Sequence, residues 1–476
     1  MLLSKLTFLG IFISVISFSV FAQTPDTIWT KLYGDTDYER GNSIVITDDN
    51  GFAIIGAADA LYSGGNITEG DIWLVRTNST GDTLWTKTYG GSGIDEGNSI
   101  YKTSDGGFIL AGARSNNILI YDAWLIRTDS NGDTLWTKTY GENFGEELAS
   151  SVIETSDGGF AFTGFRNTQT TFSRDVWLVR TDAAGDTLWT RTFGGTGTDL
   201  GSAVLQTDDN GFIIAGKTRV IGGEFDLYLI RTDENGNTLW TKTYNGSSSP
   251  NSVDDGRDIE LMSDGGVAVV GFSDLNTWLL RTDANGDTLW TQRYPGSGGN
   301  SFDKTSDGGF VIVEGIRLIR TNAAGDLLWS KIFDGLANSV KQTNDGGYIV
   351  AGYNFSGVTN DDLWLAKFSG GTTSIENSVE KPEDFFLYQN FPNPFNPTTI
   401  ISYNIPSVIS TEGRNLRVLL KVYDVLGNEV ATLVDEYKPA GSYEVAYSAS
   451  FLSSGVYFYQ LKAGSFVETK KMILLR

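Results

Sequence analysis

Twelve tryptophans occur in this chain, and every one falls in one of two slots of a single recurring hairpin. In residues 122–141, DAWLIRTDSNGDTLWTKTYG, a short apolar run ending at Arg127 and an alternating run, Thr134–Tyr140, flank the turn Asp129-Ser130-Asn131-Gly132. The pattern predicts two β-strands with glycine in the left-handed turn position, where a Cβ would clash. The first-strand ring recurs as Trp73, Trp124, Trp177, Trp278 and Trp364, with Tyr228 and Arg317 in the same slot. The second-strand ring recurs as Trp29, Trp85, Trp136, Trp189, Trp240, Trp290 and Trp329. A large ring used at one repeated position reads as a packing residue.

Residues 27–368 repeat with a period of about 50, which points to solenoids or propellers. A second marker follows each hairpin, as in SDGGF at 104–108 and 156–160, DDNGF at 208–212 and NDGGY at 344–348. One unit is then four strands: a, the DGG turn, b, a variable connection, c, the DxxG turn, d. Four antiparallel strands at this period make a propeller blade, and seven are present. The repeat opens on a lone d strand, Thr27–Tyr33, and closes on a lone c strand, 362–368. Joined, these halves complete a seventh blade and remove the open edges.

The remaining segments read as addresses and a spacer. Residues 1–22 form a basic, then apolar stretch, predicted to be a signal peptide cut between Ala22 and Gln23. Residues 23–368 are the propeller, 369–384 (SGGTTSIENSVEKPED) a linker, and 385–476 a small antiparallel β-sandwich with alternating runs such as Leu416–Tyr423. The chain has no cysteine and no histidine, which excludes disulfides, Ser-His-Asp triads and ordinary zinc sites. A net charge of −23 excludes nucleic acid as a partner. The predicted class is all-β: a seven-bladed propeller closed by its N-terminal strand, followed by an Ig-like sandwich.

The constant a–b and c–d turns share one face, and the length-varying b–c and d–a connections share the other. Connections 57–70, 113–121, 165–174 and 353–361 are long, whereas Glu314-Gly315 is minimal. Variation confined to one face of a rigid scaffold marks where a ligand would bind. The candidate ligand-binding residues there are Asp37, Glu39, Asp95, Glu96, Glu146, Glu147, Asp199, Asp254 and Asp255, expected on exposed loops. Carboxylate pairs can run glycoside hydrolysis, but Asp95-Glu96 and Glu146-Glu147 recur at equivalent positions, which suits solubility or a shared cation role better than catalysis. The turns Asp129 to Asp133, Asp182 to Asp186 and Asp283 to Asp287 present oxygens that calcium could use, although aspartate is also a common self-capping turn residue. The six arginines Arg76, Arg127, Arg180, Arg231, Arg281 and Arg320 share one strand-c slot, which predicts blade-to-blade ion pairing or stem packing.

Two resemblances rest on quoted residues. The run Leu387-Tyr388-Gln389-Asn390-Phe391-Pro392-Asn393-Pro394, then Val422-Tyr423-Asp424-Val425-Leu426-Gly427-Asn428, then Leu452-Ser453-Ser454-Gly455-Val456-Tyr457 and the tail Lys470-Lys471-Met472 resemble the type A sorting domain of the type IX secretion system. That resemblance implies an address: export across the outer membrane, contact with the secretion machinery and its sorting peptidase, and release or attachment at the surface. The propeller units are similar to the tryptophan-docking repeats of quinoprotein-like proteins, with Asp129, Gly132 and Trp136 one residue closer at the first interval. This likeness implies the packing mode and no quinone cofactor.

The sequence therefore leads to a secreted or surface-attached propeller acting as a non-catalytic binding or scaffold module, with a glycan or surface protein as its ligand. A glycan-active enzyme using the variable-face carboxylates and a purely structural surface component are the alternatives. No cofactor is expected beyond the calcium just weighed.

Overall fold

The repeat alternates apolar and polar residues over runs of seven to nine, and each such run is a strand. The computed structural model describes residues 24–34, 38–63, 66–91, 93–117, 120–141, 145–167, 173–219, 223–246, 253–355, 361–370, 385–390, 393–405, 416–438, 441–464 and 466–475. The predicted signal peptide, its cleavage position at Ala22 and Gln23, and most of the predicted linker lie outside these residues. Two compact units result, divided between Thr373 and Ser374.

The first unit is the propeller. Blade 2 shows the pattern: Asp95–Lys102, Phe108–Asn117, Ile120–Thr128 and Thr134–Tyr140 form one antiparallel meander. Blades 1, 3, 4 and 5 repeat it. In blade 6 the tight Glu314-Gly315 connection lets strands b and c run as one element, Phe310–Thr321. Its strand d continues directly into strand a of blade 7, Leu327–Gln342, so blades 6 and 7 share one six-stranded sheet. Thr27–Tyr33 pairs with Asp361–Phe368 and supplies the fourth strand of blade 7. Each a strand touches the a strand of the next blade, around to blade 1, which closes the ring.

The predicted long connections of blades 1 and 2 are not loops. Strands b and c extend beyond the blade as hairpins, Phe52–Ser63 with Asn66–Thr77 and Phe108–Asn117 with Ile120–Thr128. Their polar composition hid this, because strand pairing outside a core carries no apolar alternation.

The apolar residues lie between successive blades. Ile109 and Leu125 of blade 2 pack against Val152, Phe162, Trp177 and Val179 of blade 3. Both faces of a blade are therefore covered. Polar contacts stitch the same junctions at two radii. Strand a carries a bulge one residue after Gly41, Gly97, Ala149 and Ala337. The bulged residue leaves the ladder, and its side chain becomes available. Asn42 donates to Gly97 O (2.9 Å), Asn98 to Ala149 O (3.1 Å) and Asn338 to Gly41 O (3.0 Å). Gly112 faces such a bulge, where any Cβ would collide with Glu96 O.

At the outer rim six of the seven strand-d tryptophans dock on the next blade's c–d turn; Trp329 faces blade 7, whose c and d strands are not joined by a turn. A Cβ on Gly132 would lie 2.7 Å from the Trp85 ring, so φ +78° and this close approach both require glycine. Tyr89 donates its hydroxyl to Gly132 O (2.6 Å), and Lys87 pairs with Asp133 (2.8 Å). The same set joins blade 7 to blade 1 through Trp29, Tyr33 and Lys31. The arginine slot behaves differently from the expectation of blade-to-blade pairing. Arg127 reaches Asp105 (2.5 Å) in the a–b turn of its own blade, and all six arginines do likewise, with Lys367 as the seventh member. The antiparallel register brings the start of strand b beside the end of strand c, so the partner comes from within the blade.

The second unit has two sheets. Phe386–Leu387, Thr398–Ile405 and Gly441–Ser448 form one; Glu429–Lys438, Leu416–Tyr423, Gly455–Ala463 and Phe466–Leu474 form the other. Tyr403 and Tyr447 from the first pack into one core with Leu420, Tyr459 and Met472 from the second, which makes the unit a sandwich. The opening motif is tied into it: Asn390 N–H donates to the Tyr459 hydroxyl (2.7 Å), which donates to Tyr388 O (2.7 Å).

Candidate functional site

The expected exposed acidic loops are instead the first residues of the a strands. Asp37 lies outside the described residues. Of the other eight candidates, Glu39, Asp95, Glu147, Asp199, Asp254 and Asp255 are buried. Glu146 is half-buried and paired with Arg174 (2.7 Å). Glu96 alone is exposed. The cause is geometric: these residues already belong to the strand or adjoin its start, and alternation turns Asp95 into the junction between blades and Glu96 away from it.

Apart from Asp255, which pairs with Arg257, each buried acid meets a second carboxylate from strand c of the preceding blade. The pairs are Asp362 with Glu39, Asp71 with Asp95, Asp122 with Glu147 and Asp175 with Asp199, beside Gly34, Gly90, Gly141 and Gly194. The strand-c partners were not among the residues singled out in the sequence, although an aspartate one or two residues before the strand-c tryptophan recurs visibly. Burial pushes the Asp95, Asp122 and Asp175 carboxyls above the usual carboxylate range, and the facing charges of Asp71 and Asp199 add to it for Asp95 and Asp175. At the next junction Asp226 meets Asp254, but Asn245 replaces the glycine and donates its amide to Asp226 (3.1 Å). Between blades 5 and 6 the acid is Glu314, paired with Arg317 (2.7 Å). Arg317 occupies a tryptophan slot, so its departure from the repeat now has a reason.

One cavity opens at the variable end of the blades. It holds about 280 Å³ and is lined by Tyr38, Arg40, Asn42, Glu96, Asn338 and Tyr353 among others. Arg40 lies over the Tyr353 ring (4.4 Å) and donates to Asp361 (2.6 Å). Burial raises the Glu96 carboxyl and Arg40 opposes that rise, although Glu96 keeps contact with solvent. Two aromatic rings, a guanidinium, two amides and a carboxylate at one mouth suit a small polar ligand.

Deeper along the a strands, Glu260, Asp303 and Lys341 cluster, with Lys341 at 3.3 Å from Asp303 and 3.9 Å from Glu260. Their side chains are 26, 19 and 32% accessible. Burial pushes Glu260 up to about 7, against the attraction of Lys341. On the opposite face, Asp129 accepts from the N–H groups of Asn131 and Asp133 (2.9 Å each), so that turn is held by its own backbone. Among the described residues no three acidic side chains converge as a metal centre.

These shifts set a pH dependence. Asp49 and Asp209, held by the hydroxyls of Thr47 and Thr207 and by their arginines, lie at about 2. Their folded pKa is depressed, so their modest contribution exists above the unfolded value and fades as pH falls toward 2. Asp95, Asp122, Asp175 and Glu260 are raised; their contribution is complete below the unfolded value and fades as pH rises through the folded one. Without divalent cations, the melting temperature is expected to peak at about pH 4–5 and decline on either side. A melting series from acid to neutral pH that rises monotonically contradicts this.

Residues 389–475 match the family model of the secretion system C-terminal sorting domain. The C-terminal unit is thus a type IX sorting domain, and the chain is secreted or attached to the outer cell surface through that machinery. No curated protein matches the chain. Among solved structures, the Dos1 propeller aligns with TM-score 0.46 at 11% identity, over 73% of this chain and 96% of that one. Puromycin hydrolase aligns at 0.48 and 12% identity over 81% and 63%. A protein of unknown function from Bacteroides caccae aligns at 0.39 and 12% over 60% and 97%.

Proposed function

We propose that the exported propeller is a non-catalytic binding or scaffold module, taking a glycan or a surface protein at its variable end. The observation that carries this reading is the cavity at the strand-a starts, where Tyr38, Arg40, Glu96 and Tyr353 reach one mouth. Aromatic faces beside paired polar groups are what sugar rings and peptide side chains use. In each close carboxylate pair the strand-a acid is buried between blades, which favours binding over glycoside hydrolysis. Of the acidic residues that the sequence singled out, Asp95 and Glu96 line this cavity.

The purified exported protein should be screened on a glycan array and against chromogenic glycosides. A retained glycan is expected to bind at least ~10-fold more weakly to Glu96→Gln and Tyr353→Ala, each contact being worth about 1.4 kcal/mol or more, while Asp129→Asn on the opposite face changes nothing. Turnover of any glycoside, or control of binding by Asp129, overturns the reading.

A further inference from the structure

We propose that two of the glycine-bearing blade junctions, those at Gly90 and Gly194, are calcium sites, with Asp71 and Asp95 holding one ion and Asp175 and Asp199 another. At the first, Asp71 Oδ1 and Asp95 Oδ2 both lie within 2.7 Å of the point where a Cβ on Gly90 would sit. At the second, Asp175 Oδ1 and Asp199 Oδ2 lie within 2.6 Å of the corresponding point at Gly194. Two oxygens so placed are at most about 5 Å apart, the span that two ligands subtend on one calcium at roughly 2.3–2.6 Å. Glycine leaves that space open.

A second observation separates these sites from a mere acidic cluster. Asp95 is 1% exposed, and its Oδ2, aimed at the shared point, has no hydrogen-bond partner; Asp175 is half-buried, but its Oδ1 atom is likewise shielded and without one. Asp95 Oδ1 accepts from Ser115 N–H; the second oxygen of each site, Asp71 Oδ1 or Asp199 Oδ2, accepts one backbone N–H, from Gly91 or Gly195, and keeps a lone pair for an ion. Arg114 faces Asp95, whereas the charge Asp175 feels is that of Asp199. A buried oxygen left without a donor costs free energy that a cation would recover.

Two other junctions show what happens where the glycine is replaced or the pair is lost. Asn245 fills the glycine position with an amide donor, and Arg317 supplies a fixed positive charge to Glu314. In both, a side-chain donor or a fixed positive charge stands beside the acid. Two carboxylates match the charge of a divalent ion, and an oxygen-only set suits calcium, with water and main-chain carbonyls completing six to eight ligands. So few charged ligands imply an affinity of about 10⁻⁴–10⁻³ M, the range of extracellular modules, which agrees with delivery outside the cell. Such ions would staple strand c of one blade to strand a of the next.

The exported full chain, stripped with chelator, should be titrated with calcium chloride at neutral pH and followed by equilibrium dialysis and thermal melting. Calcium at about 5 mM is expected to bind and to raise the melting temperature by at least about 3 °C over equal magnesium. Asp71→Asn with Asp95→Asn, and Asp175→Asn with Asp199→Asn, should each bind one ion fewer, whereas Asp129→Asn with Asp133→Asn binds the full number. No calcium bound by the unmodified protein overturns the proposal, as does an undiminished count in both pair variants. A protein stabilised by acid and indifferent to calcium would show that each pair shares a proton instead. If a pair variant does not fold, the count on the unmodified chain still decides.

Discussion

Deleting Thr27–Tyr33 is expected to lower the melting temperature of the whole propeller by more than about 10 °C, in a single transition rather than by loss of one end. The strand holds two blades at once. It pairs with Asp361–Phe368 on one side. Towards blade 1, Trp29 packs on Phe52 (ring centroids 6.2 Å), Lys31 pairs with Asp82 (2.9 Å) and the Tyr33 hydroxyl donates to Gly81 O (2.5 Å). Without it the last blade has a bare edge and the ring has a gap, so Leu363 and Leu365 lose cover and the edge invites association. Scanning calorimetry on the deletion settles the matter. Full retention of the melting temperature would mean that the ring is held without this strand.

The second large effect separates the two tryptophan slots. Trp177→Ala is expected to destabilise by about 3–5 kcal/mol, because the ring is 4% exposed, stands edge-on to Phe162 (5.4 Å) and leaves a cavity between blades 2 and 3. Trp136→Ala should cost less, about 2–3 kcal/mol, since its ring is half-buried at the rim. It still contributes a hydrogen bond from Nε1 to Ala183 O (3.1 Å) and the contact with Gly185. Denaturant midpoints of the two variants measure both. If Trp177→Ala kept its midpoint while abolishing glycan binding, the strand-c rings would be a binding surface.

Much of the fold was legible because its signals are local and repeated. The turn glycines, the spacing of Trp124 and Trp136, and the half-blades at 27–33 and 361–368 each specify geometry within a few residues. The sequence also shows the tryptophan-docking arrangement, which the contact of Trp85 with Gly132 bears out in packing terms. The candidate site was less legible. Asp95 and Glu96 are adjacent, equally acidic and indistinguishable by composition, yet one is buried between blades and the other meets solvent. In a single sheet with one wet face, alternation would have separated them. In a propeller both faces of each blade are covered, so polarity no longer reports direction. The arginine slot failed for a related reason: Arg127 and Asp105 are 22 residues apart and meet only through register. The cavity mouth at Arg40 and Tyr353 joins blades 1 and 7 across the closure, a juxtaposition no local pattern announces.

That closure also has a consequence for the order in which the molecule can form. The hydrogen bond from Asp26 to Ser369 joins residues 343 positions apart, the two margins of the repeat. Every other strand pairing within a blade is between near neighbours in the chain and can form while the chain is incomplete. Pairings of high contact order form late, because the entropy of closing so long a loop precedes any reward. The blades can therefore mature one after another as an open arc, and the molecule acquires its final cooperativity only when its first strand finds its last, immediately before the sorting domain.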